Sequence, residues 1–263
     1  MNVDVNEFLK PCSCGRKHEI AVDDIIIESG AVSKLPKILS RDAYKNFQNI
    51  VMICDENTYE AAGKAVERLV PGLKKAVLNP KNLHANEHGV EAAQNQLDRI
   101  GDVDLMIAVG SGTIHDITRY HAYERKIPFF SVPTAASVDG YVSTVAAMTW
   151  HGFKKSFTAV SPVMVIADTD IFSKAPMRLT SSGVADLLGK YTALADWKIT
   201  HILTGEYICE EICEMEYKAL DALTNSLSGL ARGDAGAYEE LMYGLLLSGL
   251  AMQMTGNSRP ASG

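Results

Sequence analysis

Short apolar runs recur through the first 170 residues of the chain, and they are continuous rather than alternating. Five of them stand out, at residues 25–27, 50–53, 75–78, 105–109 and 129–132. Continuous apolar runs of this length are typical of strands whose two faces are both buried, as in a parallel sheet. The pattern therefore predicts five central strands.

Helix-like segments alternate with these runs, at residues 31–39, 59–69, 87–100 and 114–125. This alternation indicates a parallel sheet with right-handed crossovers. After Leu179 only helical patterns remain, beginning at Ser181-Ser182-Gly183, where a serine is expected as N-cap, with loops near residues 201–205 and 229–236. We predict an α/β fold with a Rossmann-like parallel-sheet domain at residues 1–172 and an all-helical domain at residues 173–263.

Composition narrows the class of protein. The chain has 263 residues, 47% of them hydrophobic, and a formal net charge of -7 with scattered Lys and Arg, which argues against a nucleic-acid partner. Five cysteines and an N-terminus without the layout of a signal peptide predict reduced thiols and a cytoplasmic location. The longest apolar stretch, residues 241–254, falls short of the roughly 20 residues of a membrane span and predicts a buried helix.

A glycine turn, Gly110-Ser111-Gly112-Thr113, follows the fourth apolar run and opens a helix. Backbone N–H groups at a helix N-terminus bind anions, most often phosphate, and Thr113 adds a hydroxyl donor. The spacing is not the full G-x-G-x-x-G of dinucleotide-binding folds, so an ordinary tight turn is the alternative.

Asp55 ends the second apolar run, at the position where a carboxylate hydrogen-bonds the ribose hydroxyls of a dinucleotide. This interpretation favours NAD over NADP. The alternative is an Asx turn or an N-cap ahead of Asn57 and Thr58.

Small and hydroxyl-bearing side chains follow the fifth apolar run, at the carboxyl end of a predicted strand, where open parallel sheets bind ligands. Thr134, Ser137 and Ser143 are candidate donors to a cofactor, and Asp139 is a candidate acceptor from a polyol hydroxyl. The alternative is a polar connecting loop.

Six motifs occur in order between residues 110 and 263: Gly110-Ser-Gly-Thr-Ile-His-Asp116, Pro133-Thr-Ala-Ala-Ser-Val-Asp139-Gly140, Asp168-Thr-Asp170, Ala175-Pro-Met-Arg-Leu179, Ser182-Gly-Val-Ala-Asp186 and Ser258-Arg-Pro-Ala-Ser-Gly263. Together they resemble the glycerol-1-phosphate dehydrogenase family, within the dehydroquinate synthase-like and iron-containing alcohol dehydrogenase group.

The resemblance implies that the α/β domain binds a dinucleotide, NAD(H) or NADP(H), and that the helical domain holds metal and substrate. It implies catalytic and substrate-binding roles for Asp139 and Asp186, with Asp186 also a metal ligand. The implied cofactor contacts are Asp55, Gly110, Ser111, Gly112, Thr113, Ile114, Thr134, Ala135, Ala136, Ser137 and Ser143.

The family reduces dihydroxyacetone phosphate to sn-glycerol 1-phosphate, and its bacterial members resemble homodimers that use nickel or zinc. A small phosphorylated polyol or ketone is therefore the expected substrate, and Lys154, Lys155 and Arg259 are candidates to bind its phosphate. Two alternatives stay open: a glycerol dehydrogenase that acts on the unphosphorylated polyol, and a truncated, non-catalytic nucleotide-binding form.

Asp186 is expected early in a helix, where a carboxylate can bind a divalent cation or interact with the helix dipole. In the family the two remaining metal ligands are histidines downstream of the last motif, and this chain has no counterpart of them. We therefore expect an incomplete helical domain and a C-terminally truncated chain. His201 is expected at an exposed helix end, not as a ligand.

Cys12-x-Cys14-Gly15-x-x-His18 near the N-terminus resembles the bacterial members specifically. These side chains could form part of a zinc site, but a closed structural site takes four ligands and only three lie close together in sequence. A flexible or turn-forming arm is the favoured interpretation.

Overall fold

A computed structural model describes residues 2–262. Nine strands occur among them: β1 (Asn2–Val3), β2 (Asp24–Glu28), β3 (Ile50–Asp55), β4 (Lys74–Leu78), β5 (Leu105–Gly110), β6 (Phe129–Pro133), β7 (Val145–Trp150), β8 (Phe153–Thr158) and β9 (Met164–Asp168). Five of these strands, β2 to β6, coincide with the five predicted apolar runs.

The main sheet has the strand order β1-β2-β9-β6-β5-β3-β4. Every neighbouring pair is parallel except β1 with β2, which is antiparallel. Every residue of β5, β6 and β9 is buried, as expected for strands covered on both faces. The predicted α/β class with a parallel sheet is confirmed, and it brings the carboxyl ends of β3, β5 and β6 to one edge.

Ten α-helices lie in the same part of the chain: α1 (Leu35–Leu39), α2 (Glu56–Thr58), α3 (Lys64–Leu69), α4 (Glu87–Ile100), α5 (Gly112–Arg125), α6 (Thr169–Phe172), α7 (Met177–Leu188), α8 (Lys190–Thr204), α9 (Glu210–Arg232) and α10 (Ala235–Thr255). Short 3-10 turns occupy Val5–Leu9, Ala31–Lys34 and Gly140–Val142, and a π-helical turn at Tyr59–Gly63 joins α2 to α3.

The helix boundaries correct two expectations. Helix α7 begins at Met177 after Pro176, so the expected serine N-cap is wrong: Ser182 lies inside the helix, and its hydroxyl donates to the Arg178 carbonyl at 2.9 Å. Helices α8 and α9 also extend through most of the two predicted loops, to Thr204 and Arg232. The sheet ends at Asp168 and only helices follow it. The domain boundary at residues 172/173 stays a prediction.

A two-stranded hairpin of β7 and β8 was not predicted. Its turn places His151 and Gly152 at φ 51° and φ 80°, the left-handed conformation that tight hairpin turns require. Strand β8 is mostly exposed, so its apolar pattern is too weak to be recognised from the sequence.

Helix α10 is buried along most of its length, as the apolar stretch at residues 241–254 predicts. One apolar cluster joins it to the sheet, and it includes Ile25 and Val165 from the strands and Trp197 and Leu245 from the helices. The α/β part and the helices therefore share a continuous core. Among residues 2–262, no helix has both the length and the apolar character that crossing a bilayer demands.

Candidate active site

A cleft of about 800 Å³ lies at the carboxyl edge of the sheet. Four of the predicted cofactor contacts line it: Asp55, Ser111, Thr113 and Thr134. The opposite wall comes from the segment that leads into and begins α7, including Lys174, Pro176 and Arg178. The structure thus brings together side chains that follow three different strands, because parallel strands end at a common edge.

The glycine turn is compact. Strand β5 ends at Gly110, helix α5 begins at Gly112, and the Thr134 N–H donates to the Gly110 carbonyl at 2.9 Å. A Cβ on Gly110 would lie 2.5 Å from Cβ of Ile114, so only glycine fits there. Ser111 at the N-cap makes no side-chain capping bond, so its side chain leaves the first N–H groups of α5 uncapped.

Asp55 is an N-cap, as its alternative interpretation predicted. Its Oδ1 accepts the Thr58 N–H at 2.8 Å, and the Thr58 hydroxyl accepts the Asp55 N–H at 3.0 Å. This capping box explains why α2 begins directly after β3. Asp55 is only half-buried and lines the cleft, so capping does not exclude contact with a ligand there.

A second cavity, of about 290 Å³, lies on the other side of the glycine turn. Gly112 lines it, together with Ser143, Asp139 and Asp186. Lys154 and Lys190 also contribute to its wall. Since Ser111 and Thr113 face the larger cleft, the turn at residues 111–113 separates two cavities that are candidates for two different ligands.

The second cavity contains a charge cluster that the sequence analysis did not identify. The Lys190 ammonium lies 2.8 Å from Asp139 Oδ2 and 3.2 Å from Asp186 Oδ1. The Asp139 N–H donates to Asp186 Oδ2 at 2.7 Å, and the Ser248 hydroxyl donates to Asp139 Oδ2 at 3.0 Å. Asp139 and Asp186 therefore lie together, with a cation between them. The i, i+4 spacing of Asp186 and Lys190 was the available sequence signal.

Glu216 on α9 is a second residue that sequence reasoning missed. It is fully buried, and neither carboxylate oxygen has a hydrogen-bond partner among residues 2–262. The pKa of Glu216 is raised to about 8, chiefly by burial; Lys190 opposes this shift, and the charges of Asp139 and Asp186 add to it. The available signal was an acidic residue on the apolar face of α9, four residues from both Ile212 and Leu220.

The remaining predicted cofactor contacts lie outside the larger cleft. Ile114 belongs to the apolar core, and Ala135 and Ala136 are buried. Ser137 lies 3.1 Å from the Tyr141 hydroxyl, and Ser143 forms a local turn with Val145. Their roles toward a cofactor stay predictions.

Asp186 is not early in its helix. It lies in the last turn of α7, where a carboxylate is unfavourable for the helix dipole, and Lys190 offsets this charge. A catalytic metal takes about three protein ligands. Residues 2–262 supply no group of three ligand atoms around Asp186, and His201 is exposed, with Nδ1 2.6 Å from the Glu206 carbonyl. The side chains of residues 2–262 therefore do not complete a metal site around Asp186.

The three candidate phosphate ligands differ in their surroundings. Arg259 is bound by Glu206 and Asp196, each at 2.9 Å. Lys155 lies on the exposed strand β8 and is not among the residues that line the second cavity. Lys154 lines that cavity, beside Asp186 and Lys190. Of the three, only Lys154 is placed to contact a ligand in it.

Comparison with known proteins identifies the family. A family model for iron-containing alcohol dehydrogenases matches residues 26–176. The glycerol-1-phosphate dehydrogenase [NAD(P)+] of Bacillus licheniformis is 39% identical over 267 residues, covering 98% of this chain and 65% of the relative. The enzyme of the same name from Pyrococcus furiosus is 33% identical, covering 91% of this chain and 68% of the relative. The chain thus spans about two thirds of the length of these relatives.

Solved structures share the fold. A probable glycerol dehydrogenase from Sinorhizobium meliloti superposes with a TM-score of 0.72 at 20% identity, covering 88% of this chain and 65% of that structure. The iron-containing alcohol dehydrogenase of Thermotoga maritima superposes with a TM-score of 0.69 at 15% identity, covering 92% of this chain and 70% of that structure. These structures show the fold. The family model, which matches more than half of the chain, and the sequence relatives show that the chain belongs to the iron-containing alcohol dehydrogenase family.

Proposed function

We propose that this chain carries the dinucleotide site and the substrate-facing charge cluster of a glycerol-1-phosphate dehydrogenase, which reduces dihydroxyacetone phosphate to sn-glycerol 1-phosphate with NAD(P)H. The observation that supports this best is the pair of cavities on either side of residues 111–113. NAD(P)H occupies the larger cleft, where Asp55 accepts hydrogen bonds from the adenosine ribose and the N-terminus of α5 faces the pyrophosphate.

The substrate occupies the second cavity. Burial opposes the charge of Lys190, but Asp139 and Asp186 outweigh it and raise the pKa of this ammonium, so it stays protonated. A protonated Lys190 donates a hydrogen bond to the substrate oxygen that becomes negative as the hydride arrives. Lys154 binds the phosphate as a point charge.

We further propose that the active form is a homodimer and that Asp186 supplies one ligand to a divalent metal, nickel or zinc. Because Asp186 pairs with Lys190, a metal held there would compete with this ammonium for the carboxylate.

The test compares NADH oxidation with dihydroxyacetone phosphate and with dihydroxyacetone, in the presence of Ni²⁺ or Zn²⁺. We expect a clear preference for the phosphorylated ketone. Lys154→Ala should raise the KM for it about tenfold, because a charged hydrogen bond is lost, with little change for dihydroxyacetone. Lys155→Ala is the matched control, since it removes the neighbouring charge outside the cavity.

Two outcomes would contradict this proposal. Equal turnover of both ketones, unaffected by Lys154→Ala, favours a glycerol dehydrogenase. NADH binding without turnover of either ketone favours a non-catalytic nucleotide-binding form.

Nucleotide binding has its own test, Asp55→Ser. Serine keeps an N-cap acceptor but removes the carboxylate, so the Kd for NADH should rise about tenfold while stability changes little. Asp98→Ser, at an exposed position on α4, is the control.

A further inference from the structure

Three thiols and one imidazole converge beside the helical part of the molecule. Cys12, Cys14 and His18 come from the N-terminal segment, and Cys209 is the residue before helix α9. Their ligand atoms all lie within 4.8 Å of one another. The first three are neighbours in the sequence, whereas Cys209 is 191 residues from His18 and is not recognisable as a partner from sequence spacing.

Three of the six separations between these atoms are close to the edges of a tetrahedron around a metal ion. The Sγ atoms of Cys12 and Cys209 are 3.4 Å apart, and His18 Nε2 lies 3.4 Å from Cys14 Sγ and 3.7 Å from Cys209 Sγ. A tetrahedral zinc ion with bonds of about 2.3 Å to sulfur and about 2.0 Å to nitrogen sets its ligand atoms about 3.5 to 3.8 Å apart. The separation of Cys12 and Cys209 is far too long for a disulfide, and the five cysteines are free thiols.

The orientation of His18 favours metal binding. Its Nδ1 lies 2.7 Å from the Met254 carbonyl, which can only accept a hydrogen bond, so Nδ1 carries the proton. In that tautomer Nε2 has a free lone pair, and it is Nε2 that lies beside Cys14 and Cys209. A backbone carbonyl that holds the other imidazole nitrogen is the usual support for a metal-binding histidine.

The surroundings suit a negatively charged centre. Three thiolates around Zn²⁺ leave a net charge of about -1. The Tyr207 hydroxyl donates to Cys14 Sγ at 3.3 Å, and the Arg16 guanidinium stacks 3.4 Å from the centre of the Tyr207 ring. Both a hydrogen-bond donor and a cation therefore lie next to the cluster.

We propose that Cys12, Cys14, His18 and Cys209 form a closed structural zinc site that ties the N-terminal segment to the start of α9. All four coordination positions are filled by protein, which leaves none for a substrate. His18 and Cys209 are only 5% and 0% exposed. Binding replaces three thiol protons by one Zn²⁺ and involves no redox change. This site is separate from Asp186 and does not depend on the proposed function.

The N-terminal segment forms a turn and packs against the helices. The Gly15 N–H donates to the Cys12 carbonyl at 3.1 Å, so the predicted turn is present. The segment also packs on the helices, since the Ala21 N–H donates to Gln253 Oε1 at 2.7 Å. A cavity of about 360 Å³ beside Cys12 and His18 offers the ion a path from solvent.

The test measures zinc in the full 263-residue chain, purified under reducing conditions and dialysed against a weak chelator. We expect Asp186→Asn to retain about one zinc per chain, because a closed site binds zinc tightly and this variant removes the other candidate ligand. The double variant Asp186→Asn, Cys209→Ser should bind no zinc. Adding Cys213→Ser instead, one helical turn later and outside the cluster, should leave the zinc unchanged.

Absence of zinc from Asp186→Asn, equal zinc in both cysteine variants, or a Cys12–Cys209 disulfide found by non-reducing mass spectrometry would overturn the proposal. If Cys209→Ser does not fold, X-ray absorption at the zinc edge of Asp186→Asn decides instead. The spectrum is expected to show three sulfur atoms and one nitrogen atom bound to zinc. Zinc bound mainly by oxygen atoms would contradict the proposed site.

Discussion

The Lys190 ammonium lies 2.8 Å from a carboxylate oxygen of Asp139, and both side chains are almost excluded from solvent, at 3% and 12% exposure. Asp139 lies in the loop that follows strand β6, and Lys190 begins helix α8. This ion pair connects the α/β part to the helices at the point where the proposed substrate binds.

Removing the lysine should destabilise the fold. Lys190→Ala leaves Asp139 and Asp186 facing each other without a cation, and breaking a buried pair in this way costs about 3 kcal/mol. We expect the free energy of unfolding, measured by urea denaturation, to fall by about that amount. Lys198→Ala on the exposed face of the same helix should change it by less than about 0.5 kcal/mol. Equal effects of the two variants would contradict a stabilising pair.

Glu216 predicts a pH dependence of stability. Its pKa is raised by burial from 4.5 to about 8, so between these pH values the folded protein keeps a proton that the unfolded chain has lost. The free energy of unfolding contributed by this group is therefore full below pH 4.5 and falls as the pH rises to about 8.

Glu216→Gln removes this dependence because glutamine does not titrate. We expect thermal unfolding curves to show the variant gaining stability relative to the wild type as the pH increases from 5 to about 8. Glu214→Gln, at an exposed position of the same helix, should keep a constant difference from the wild type. A constant difference for Glu216→Gln as well would mean that Glu216 is not buried as a neutral acid.

Gly183 sets the approach of helix α7 to the loop that follows β6. A Cβ at this position would collide with the Ala136 carbonyl oxygen, a backbone atom that cannot move without the loop. Gly183→Ala should lower the free energy of unfolding by about 2 kcal/mol and weaken NADH binding, because Thr134 lies in the same loop. Gly236→Ala, exposed near the start of α10, places a Cβ 3.2 Å from the Asp234 side chain rather than against backbone, and should change the free energy of unfolding by less than about 1 kcal/mol in either direction. Unchanged stability of Gly183→Ala would show that the loop is free to move.

Asp168, part of a family motif, holds the fold together. Its buried carboxylate accepts the backbone N–H groups of Gly30, Val32 and Asp170 at 2.9 to 3.0 Å. Asp168→Ala leaves buried donors unpaired and should cost about 3 kcal/mol of unfolding free energy, without changing the Kd for NADH. Asp104→Ala is the control, because Asp104 binds two backbone N–H groups in a more exposed loop and should cost less. A loss of NADH affinity in a folded Asp168→Ala protein would assign this residue to the nucleotide site.

The features that were predictable from sequence are local ones. A buried strand needs a continuous apolar run, which is why the central strands were recognised, and the glycine turn and the Asp55 cap depend on neighbours within a few residues. Strand β8 was missed because most of its side chains face solvent, and its partner β7 alternates over only six residues.

The start of α7 was misplaced for a related reason. Serine signals an N-cap only where a helix begins, and the signal at Ser182 gave no information about the five helical residues before it. As a result Asp186 was expected near the positive N-terminal end of the helix dipole, whereas it lies near the negative C-terminal end.

The sequence by itself determined the parallel sheet, the turn at Gly110 and the family, because apolar period, backbone geometry and ordered motifs are all encoded over short stretches. Only the tertiary structure decided that Lys190 lies between Asp139 and Asp186, that Glu216 is buried beside them, and that Cys209 completes the N-terminal cluster. These contacts join residues up to 197 positions apart. Their energies depend on burial and on distances of about 3 to 4 Å, which exist only once the chain has folded.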